Sequence, residues 1–159
     1  MAKSKEEKTN VMRTLEQKKI PYTAHSYDPE GPIDGVSVAQ TLGQPPEQVF
    51  KTLVTKGASG AYYVFDIPVA ENLDLKKAAK AVGEKSVAML PQKELLPLTG
   101  YVHGGCSPVG MKKQFSTVFH ETALLYGTVC VSAGKIGHQV ECDPNALIAL
   151  LRAKTADVI

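Results

Sequence analysis

Apolar positions along the chain recur at two periods. Over residues 4–19 they return every three to four positions, with Val11 and Leu15 on one side and Met12 beside them. That spacing predicts an amphipathic helix, stopped at Pro21. Tyr22 to Tyr27 reads as a strand, and Asp28-Pro29-Glu30-Gly31-Pro32 as a loop. A short helix follows, capped by Asp34 or Ser37 and ending at Gly43. Pro45-Pro46-Glu47-Gln48 opens a further helical turn. Two apolar runs, 50–55 and 61–67, flank Gly57-Ala58-Ser59-Gly60, which predicts a hairpin. Residues 74–82 read as a helix with Asn72 as cap and Gly83 as stop. Ser86 to Leu90 is a short strand, and a helix from Pro91 to Leu96 is expected to break at Pro97. Strands are expected near 101–103, 116–120, 126–131 and 137–141. A last helix runs from Pro144, capped by Asp143, to Arg152. This irregular alternation predicts an α+β fold, a mixed sheet with helices packed on it, and not a doubly wound parallel sheet.

Composition narrows the picture. With 159 residues, no repeat and no long linker, the chain is expected to form one domain spanning 1–159. A chain of this size buries about two-thirds of its unfolded surface and needs no staple. The net charge of +2 argues against strong nucleic-acid or membrane affinity. No apolar run approaches the roughly 18 residues of a membrane span. The start, Met1-Ala2-Lys3-Ser4-Lys5-Glu6-Glu7-Lys8, lacks the apolar core of a signal peptide. Three scattered cysteines fit a reducing cytoplasm.

Candidate chemistry concentrates in Gly104-Gly105-Cys106-Ser107-Pro108-Val109-Gly110. Such a loop brings backbone N–H groups close to a ligand and can aim them at an oxyanion or phosphate; the alternative is a tight turn between strands. Lys51 stands inside the apolar run 49–54. Strand alternation alone sends it to solvent, and Thr52 to the opposite face. Ser107 does not sit in a nucleophile elbow: Val109 occupies the place of a glycine, and Pro108 deletes the N–H that would follow the serine. Nothing brings His103 or His120 to it, and it reads as a serine bonded to its own loop. Cys106 reads as a small hydrophobe. Cys106, Cys130, Cys142, His103 and His138 lack metal-ligand spacing, so no metal is expected. Lys76, Lys77, Lys80, Lys85, Lys112 and Lys113 are solvated by default and are candidates for phosphate contacts if RNA binds.

Four matches occur in order: Phe50-Lys51-Thr52-Leu53, Thr99-Gly100-Tyr101, the 104–110 loop and Val131-Ser132-Ala133-Gly134-Lys135, with Tyr27-Asp28 ahead of them. In that order and spacing the chain resembles, over nearly its whole length, the YbaK/EbsC family of aminoacyl-tRNA deacylases. The resemblance implies a curved, partly barrel-like mixed sheet flanked by helices. It implies a trans-acting editing enzyme, Cys-tRNA(Pro) deacylase being the nearest activity, related to the editing insertion of some prolyl-tRNA synthetases. It places Lys51 in the pocket, holding the terminal nucleotide or the ester. It makes the backbone at Gly104 and Gly105 an oxyanion hole. It counts Tyr27, Thr52, Ser107, Ser132 and Gly134 among substrate-binding positions. In this family the substrate's own thiol is thought to attack its ester, leaving a cyclic thiolactone. No cofactor is implied. The partners implied are the tRNA acceptor end and prolyl-tRNA synthetase. Three positions depart from the family: Cys106 stands where an aliphatic residue is usual, Ala133 replaces a glycine and Gln139 an aspartate. A deacylase for Ala- or Ser-charged tRNA that uses water, and a non-catalytic tRNA- or synthetase-binding module, are the alternatives.

Overall fold

The computed structural model describes residues 8–159. The first helix, α1 (Asn10–Gln17), starts where the Thr9 side chain accepts from the Met12 N–H, and it buries Val11, Met12 and Leu15. The part of the expected helix at residues 4–7 lies outside the described residues. Strand β1 (Tyr22–Ser26) leads to α2 (Gly35–Leu42), which Asp34 rather than Ser37 caps. A 3-10 turn at Pro46–Gln48 precedes the hairpin of β2 (Phe50–Gly57) and β3 (Tyr62–Pro68). Helix α3 (Leu75–Val82) is capped by Asp74, not Asn72, because only the Asp74 carboxylate reaches the N–H groups of Lys76 and Lys77. Strand β4 (Val87–Met89) and helix α4 (Gln92–Thr99) follow.

Pro97 lies inside α4 and does not break it. The carbonyl it leaves without a helical donor is that of Lys93, and both residues are exposed, so water can take the place of the lost bond. The strand expected at 101–103 is absent: the chain turns there, with Gly105 N–H donating to the Val102 carbonyl at 3.0 Å. Strand β5 (Ser116–His120) is followed by a 3-10 turn (Glu121–Leu125), so β6 (Val129–Ser132) begins later than expected. Strand β7 (His138–Cys142), α5 (Pro144–Leu151, capped by Asp143) and a strand that sequence patterning misses, β8 (Lys154–Ala156), complete the chain. β8 forms because β5 offers an open edge and Val158, just beyond it, is fully buried.

The strands make two sheets, ordered β1-β7-β6 and β4-β2-β3-β5-β8. The larger is mixed: β2–β3 and β2–β4 are antiparallel, β3–β5 and β5–β8 parallel. A single parallel bridge, Val49 to Cys130, links the two sheets outside the named strands. They form no closed barrel, and the partly barrel-like expectation reduces to this one bridge. The main core lies between α1, α5 and the three-stranded sheet, with Leu15, Val131, Val140, Leu147 and Phe119 buried together. Phe50 joins it from β2, its ring centroid 6.2 Å from that of Phe119. A second core packs α3 on Phe65, Ile67 and Val118. On the opposite face of the larger sheet, Val54, Val64 and Cys106 pack under Leu95, Leu98, Tyr101 and Phe115.

Candidate active site

The site arises where β2 runs out of partners. β3 pairs with β2 from Phe50 to Lys56, but β4 covers only Thr55 to Gly57. Beyond β4, the outer edge of residues 50–53 borders a cavity of about 380 Å3. The Val54 carbonyl still accepts from Leu90 on the β4 side, while the Val49 carbonyl accepts from Val69 on the β3 side. By strand alternation the N–H and C=O of Thr52 point with Val54, toward the open edge. The cavity walls come from the 27–38 segment, from β2, from the glycine loop and from Ser132, His138 and Gln139. Ile33, Val36, Val49, Val69 and Leu95 make most of the lining apolar, as is usual for small-ligand sites.

Lys51 is half-buried on that wall. Burial lowers the pKa of its ammonium, and the Glu71 carboxylate partly offsets the shift. Thr52 also lines the cavity, and its hydroxyl donates to Asp66 Oδ1 at 2.6 Å. Tyr27 and Ser132 line the wall too. Ser132 Oγ donates to the Gly105 carbonyl and accepts from Gly134 N–H, both at 3.0 Å, and so ties the two glycine loops together.

The two glycines of the expected oxyanion hole separate. Gly104 faces the cavity with φ +90°, a conformation in which any side chain would be strained and would meet Ile33 at 3.0 Å. Among the described residues its N–H has no acceptor. The Gly105 N–H is committed to Val102, and a Cβ there would crowd the Ile136 backbone nitrogen at 3.1 Å. Gly105 therefore permits close approach of the two loops and is not a free donor. Ser107 is fully buried behind the loop, where its Oγ accepts from Val109 N–H at 3.2 Å. It is not among the residues that line the cavity, and its bond braces the loop. Gly134 faces a different hollow, shared with Val11, Tyr101 and Lys112. Ala133 is buried without positive φ; the left-handed conformation falls on Gly134, so alanine is accommodated.

Cys106 lines the cavity, and burial first, then the nearby Asp66, pushes its thiol up to about 12. His103 also lines the cavity, while Ser107 does not, so the wall does not bring Ser107 together with His103. Gln139 is buried and exchanges amide hydrogen bonds with Gln44, at 2.8 and 3.3 Å. Asp66 is the residue that motif reading missed. It is fully buried, its Oδ2 has no partner, and burial pushes its carboxyl up to about 8 against the opposing bond from Thr52. Its one sequence signal is a lone carboxyl in the apolar run 62–68, the counterpart of Lys51 in its own run.

The cysteines and histidines weighed as ligands do not cluster with one another among the described residues. A different trio does: His25, Cys130 and Glu141 bring ligand atoms within 4.8 Å of one another. Hydrogen bonds account for two members, since Glu141 accepts from Thr128 at 2.5 Å and pairs with His25 at 2.8 Å. Of the basic residues, Lys77 is held by Asp157 and the Ile159 carbonyl. Lys76, Lys80 and Lys85 rim a hollow apart from the cavity. No described helix is long and apolar enough to cross a membrane.

Residues 34–150 match the model of the aminoacyl-tRNA editing domain, and that span carries β2, the glycine loop and the Ser132 turn. The chain belongs to the aminoacyl-tRNA editing domain family. A relative from Enterococcus faecalis, named as the Cys-tRNA(Pro)/Cys-tRNA(Cys) deacylase EbsC, is 47% identical over 99% of this chain and 98% of its own length. A solved structure described as a trans-editing enzyme for prolyl-tRNA synthetase superposes with a TM-score of 0.80 at 28% identity, covering 93% of each chain. The hypothetical protein APE2540 shares the fold, with a TM-score of 0.85 at 23% identity over 93% of this chain and 97% of its own.

Proposed function

We propose that the chain acts as a single editing domain in the cytoplasm and removes cysteine from mischarged tRNA, Cys-tRNA(Pro) first. The observation that carries this reading is a cavity with a cation and a free loop N–H but no activated protein nucleophile. Ser107 is engaged behind the loop, and the Cys106 thiol is pushed up to about 12. The nucleophile is then the substrate's own thiol. Its sulfur attacks the ester carbonyl, and the C–O bond to the terminal ribose breaks. The ribose oxygen takes up a proton. The cyclic thiolactone departs and hydrolyses in water to cysteine. Lys51 holds the acceptor end or the ester, and the Gly104 N–H stabilises the developing oxyanion. Selectivity follows from ionisation: a thiol of pKa near 8.5 is roughly a tenth thiolate at pH 7.5, and a serine hydroxyl is not. Tyr27, Thr52 and Ser132 contribute to the wall around the aminoacyl group.

Prolyl-tRNA synthetase is the enzyme whose error this activity corrects, because an apolar pocket discriminates poorly between side chains of similar size. The likeness to a structure described as a trans-editing enzyme for that synthetase supports the pairing. One observation favours a second reading. The position of the family's aspartate is the neutral Gln139, tied to Gln44, which points to an Ala- or Ser-charged substrate cleaved by water.

A panel of Cys-, Ala-, Ser- and Pro-charged tRNA decides between them. Fastest turnover of Cys-tRNA(Pro) is expected, and fastest turnover of the Ala or Ser ester overturns it. Orientation of the thiol can supply several kcal/mol, about 7–11 at the upper end. S-methylation of the substrate should therefore abolish turnover, and comparable rates for S-methyl-Cys-tRNA and Cys-tRNA would exclude thiol self-attack.

A further inference from the structure

Thr52 and Asp66 face each other across β2 and β3. The Thr52 hydroxyl has one hydrogen, and it goes to Asp66 Oδ1 at 2.6 Å, which puts the proton of the neutral acid on Oδ2. The lone pairs of that hydroxyl are left as acceptors on the cavity wall. Three other polar groups of the wall are differently engaged. Ser132 Oγ both donates and accepts within the protein. Gln139 is tied to Gln44. Asp34, the only carboxylate among the described residues of the wall, accepts from Ser37 N–H as the cap of α2. A ligand donor entering the cavity thus meets a hydroxyl whose polarity is set from behind by a buried carboxyl. That carboxyl has no other bond: Oδ2 is buried and unpartnered, in a protein that otherwise leaves only one buried side-chain oxygen, of Thr122, unpaired among its described residues. A buried, half-satisfied carboxyl costs stability and calls for an explanation.

We infer that Asp66 is a positioning residue that holds Thr52 as a hydrogen-bond acceptor, and that Thr52 in that state binds the α-amino group of the aminoacyl ester. The inference rests on the deacylase reading. An aminoacyl ester carries one strong donor group beside its carbonyl, the α-amine. An ester lacking it would leave the acceptor unpaired in a largely apolar cavity, which gives the site a means of rejecting it.

The test measures KM and kcat for Cys-tRNA with Thr52→Val, Asp66→Leu, Asp66→Asn and the Thr52→Val/Asp66→Leu double variant. Thr52→Val and Asp66→Leu should each raise KM about tenfold with a smaller change in kcat, the size of one lost hydrogen bond to a charged or polar group. The double variant should match Thr52→Val alone, because Asp66 acts only through Thr52. Asp66→Asn should restore a KM near that of the wild type, since the amide oxygen still accepts from the hydroxyl. N-acetylation of the substrate should raise KM in the wild type at least several-fold more than in Thr52→Val. Additive effects in the double variant overturn the inference, as does a fall in kcat at unchanged KM, or an equal response of both enzymes to N-acetylation. Should Asp66→Leu fail to fold, Asp66→Asn and the N-acetyl comparison in Thr52→Val still decide it. A wild-type enzyme inactive on Cys-tRNA would instead refute the deacylase reading itself.

Discussion

The β2–β3 hairpin carries an acid at each end, and the two are built in opposite ways. At the turn, Glu84 reaches over from beyond α3 and is fully satisfied. It accepts from the Ser59 N–H, from the Ser59 hydroxyl and from Tyr63. Those bonds hold its carboxyl below the usual range. At the open end, Asp66 is buried with a single partner and is pushed up to about 8. The turn end is flanked by β4, and the open end is not. One end of the hairpin is finished as structure. The other keeps a half-buried lysine, an underbonded carboxyl and an unpaired strand edge beside a cavity, the kind of incomplete local satisfaction expected where a ligand completes the site.

The largest expected effect lies at the open end. Lys51→Ala should lower deacylation by about 10²–10³, the usual loss for one strong transition-state contact, with an unchanged melting transition. Wild-type turnover in that variant would remove Lys51 from the site and with it the functional half of the contrast.

Asp66 tests the energetic half. Its folded pKa is raised above the unfolded value of 3.8 to about 8. Below pH 3.8 the carboxyl is protonated in both states and adds no pH-dependent cost. As pH rises toward 8, the unfolded state ionises and the folded state does not, so stability is progressively lost. Asp66→Asn should therefore gain a few kcal/mol over wild type by pH 8 and almost nothing near pH 4. Equal melting curves at both pH values would show that Asp66 is not buried as a neutral acid.

Cys106 borders both Asp66 and the cavity, and burial makes its thiolate scarce. Alkylation by iodoacetamide in the folded protein should be at least about tenfold slower than after denaturation. Rapid labelling of the native protein would make Cys106 a rival nucleophile. The smallest effect belongs to the turn. Glu84→Gln should leave deacylation untouched and lower Tm slightly at neutral pH. Its folded pKa is depressed, so the stabilisation is present above the ordinary carboxylate range and vanishes as pH falls through the folded pKa. Loss of activity in Glu84→Gln, at a temperature where the variant is folded, would erase the distinction between the two ends.

Reading the sequence recovered the hairpin, because Gly57-Ala58-Ser59-Gly60 and its flanking apolar runs are local signals. It recovered Asp143 as a cap for the same reason. It failed at Pro97, where exposure of Lys93 outweighs the breaker, and at β8, whose formation depends on the edge of β5. Within the motifs, the sequence marks Gly104 and Gly105 as equals. Only the turn back to Val102 distinguishes them, using the N–H of one and leaving that of the other. Ser107 reads in the sequence both as a pocket candidate and as a loop brace, and the bond from Val109 N–H is the one the brace requires.

By itself the sequence determined the Asp143 cap, the hairpin and the family, since each rests on residues a few positions apart or on short motifs in a set order. Tertiary structure alone decided which side of each motif meets the cavity. Gln44 and Gln139 are 95 positions apart in the chain, Ser132 and Gly105 27, and Thr52 and Asp66 14. No local propensity encodes such pairs. They arise when burial of Phe50, Phe119 and Val131 brings the sheets together. Where β4 ends and β2 continues is likewise a matter of packing, and that boundary opens the cavity beside Lys51 and Thr52.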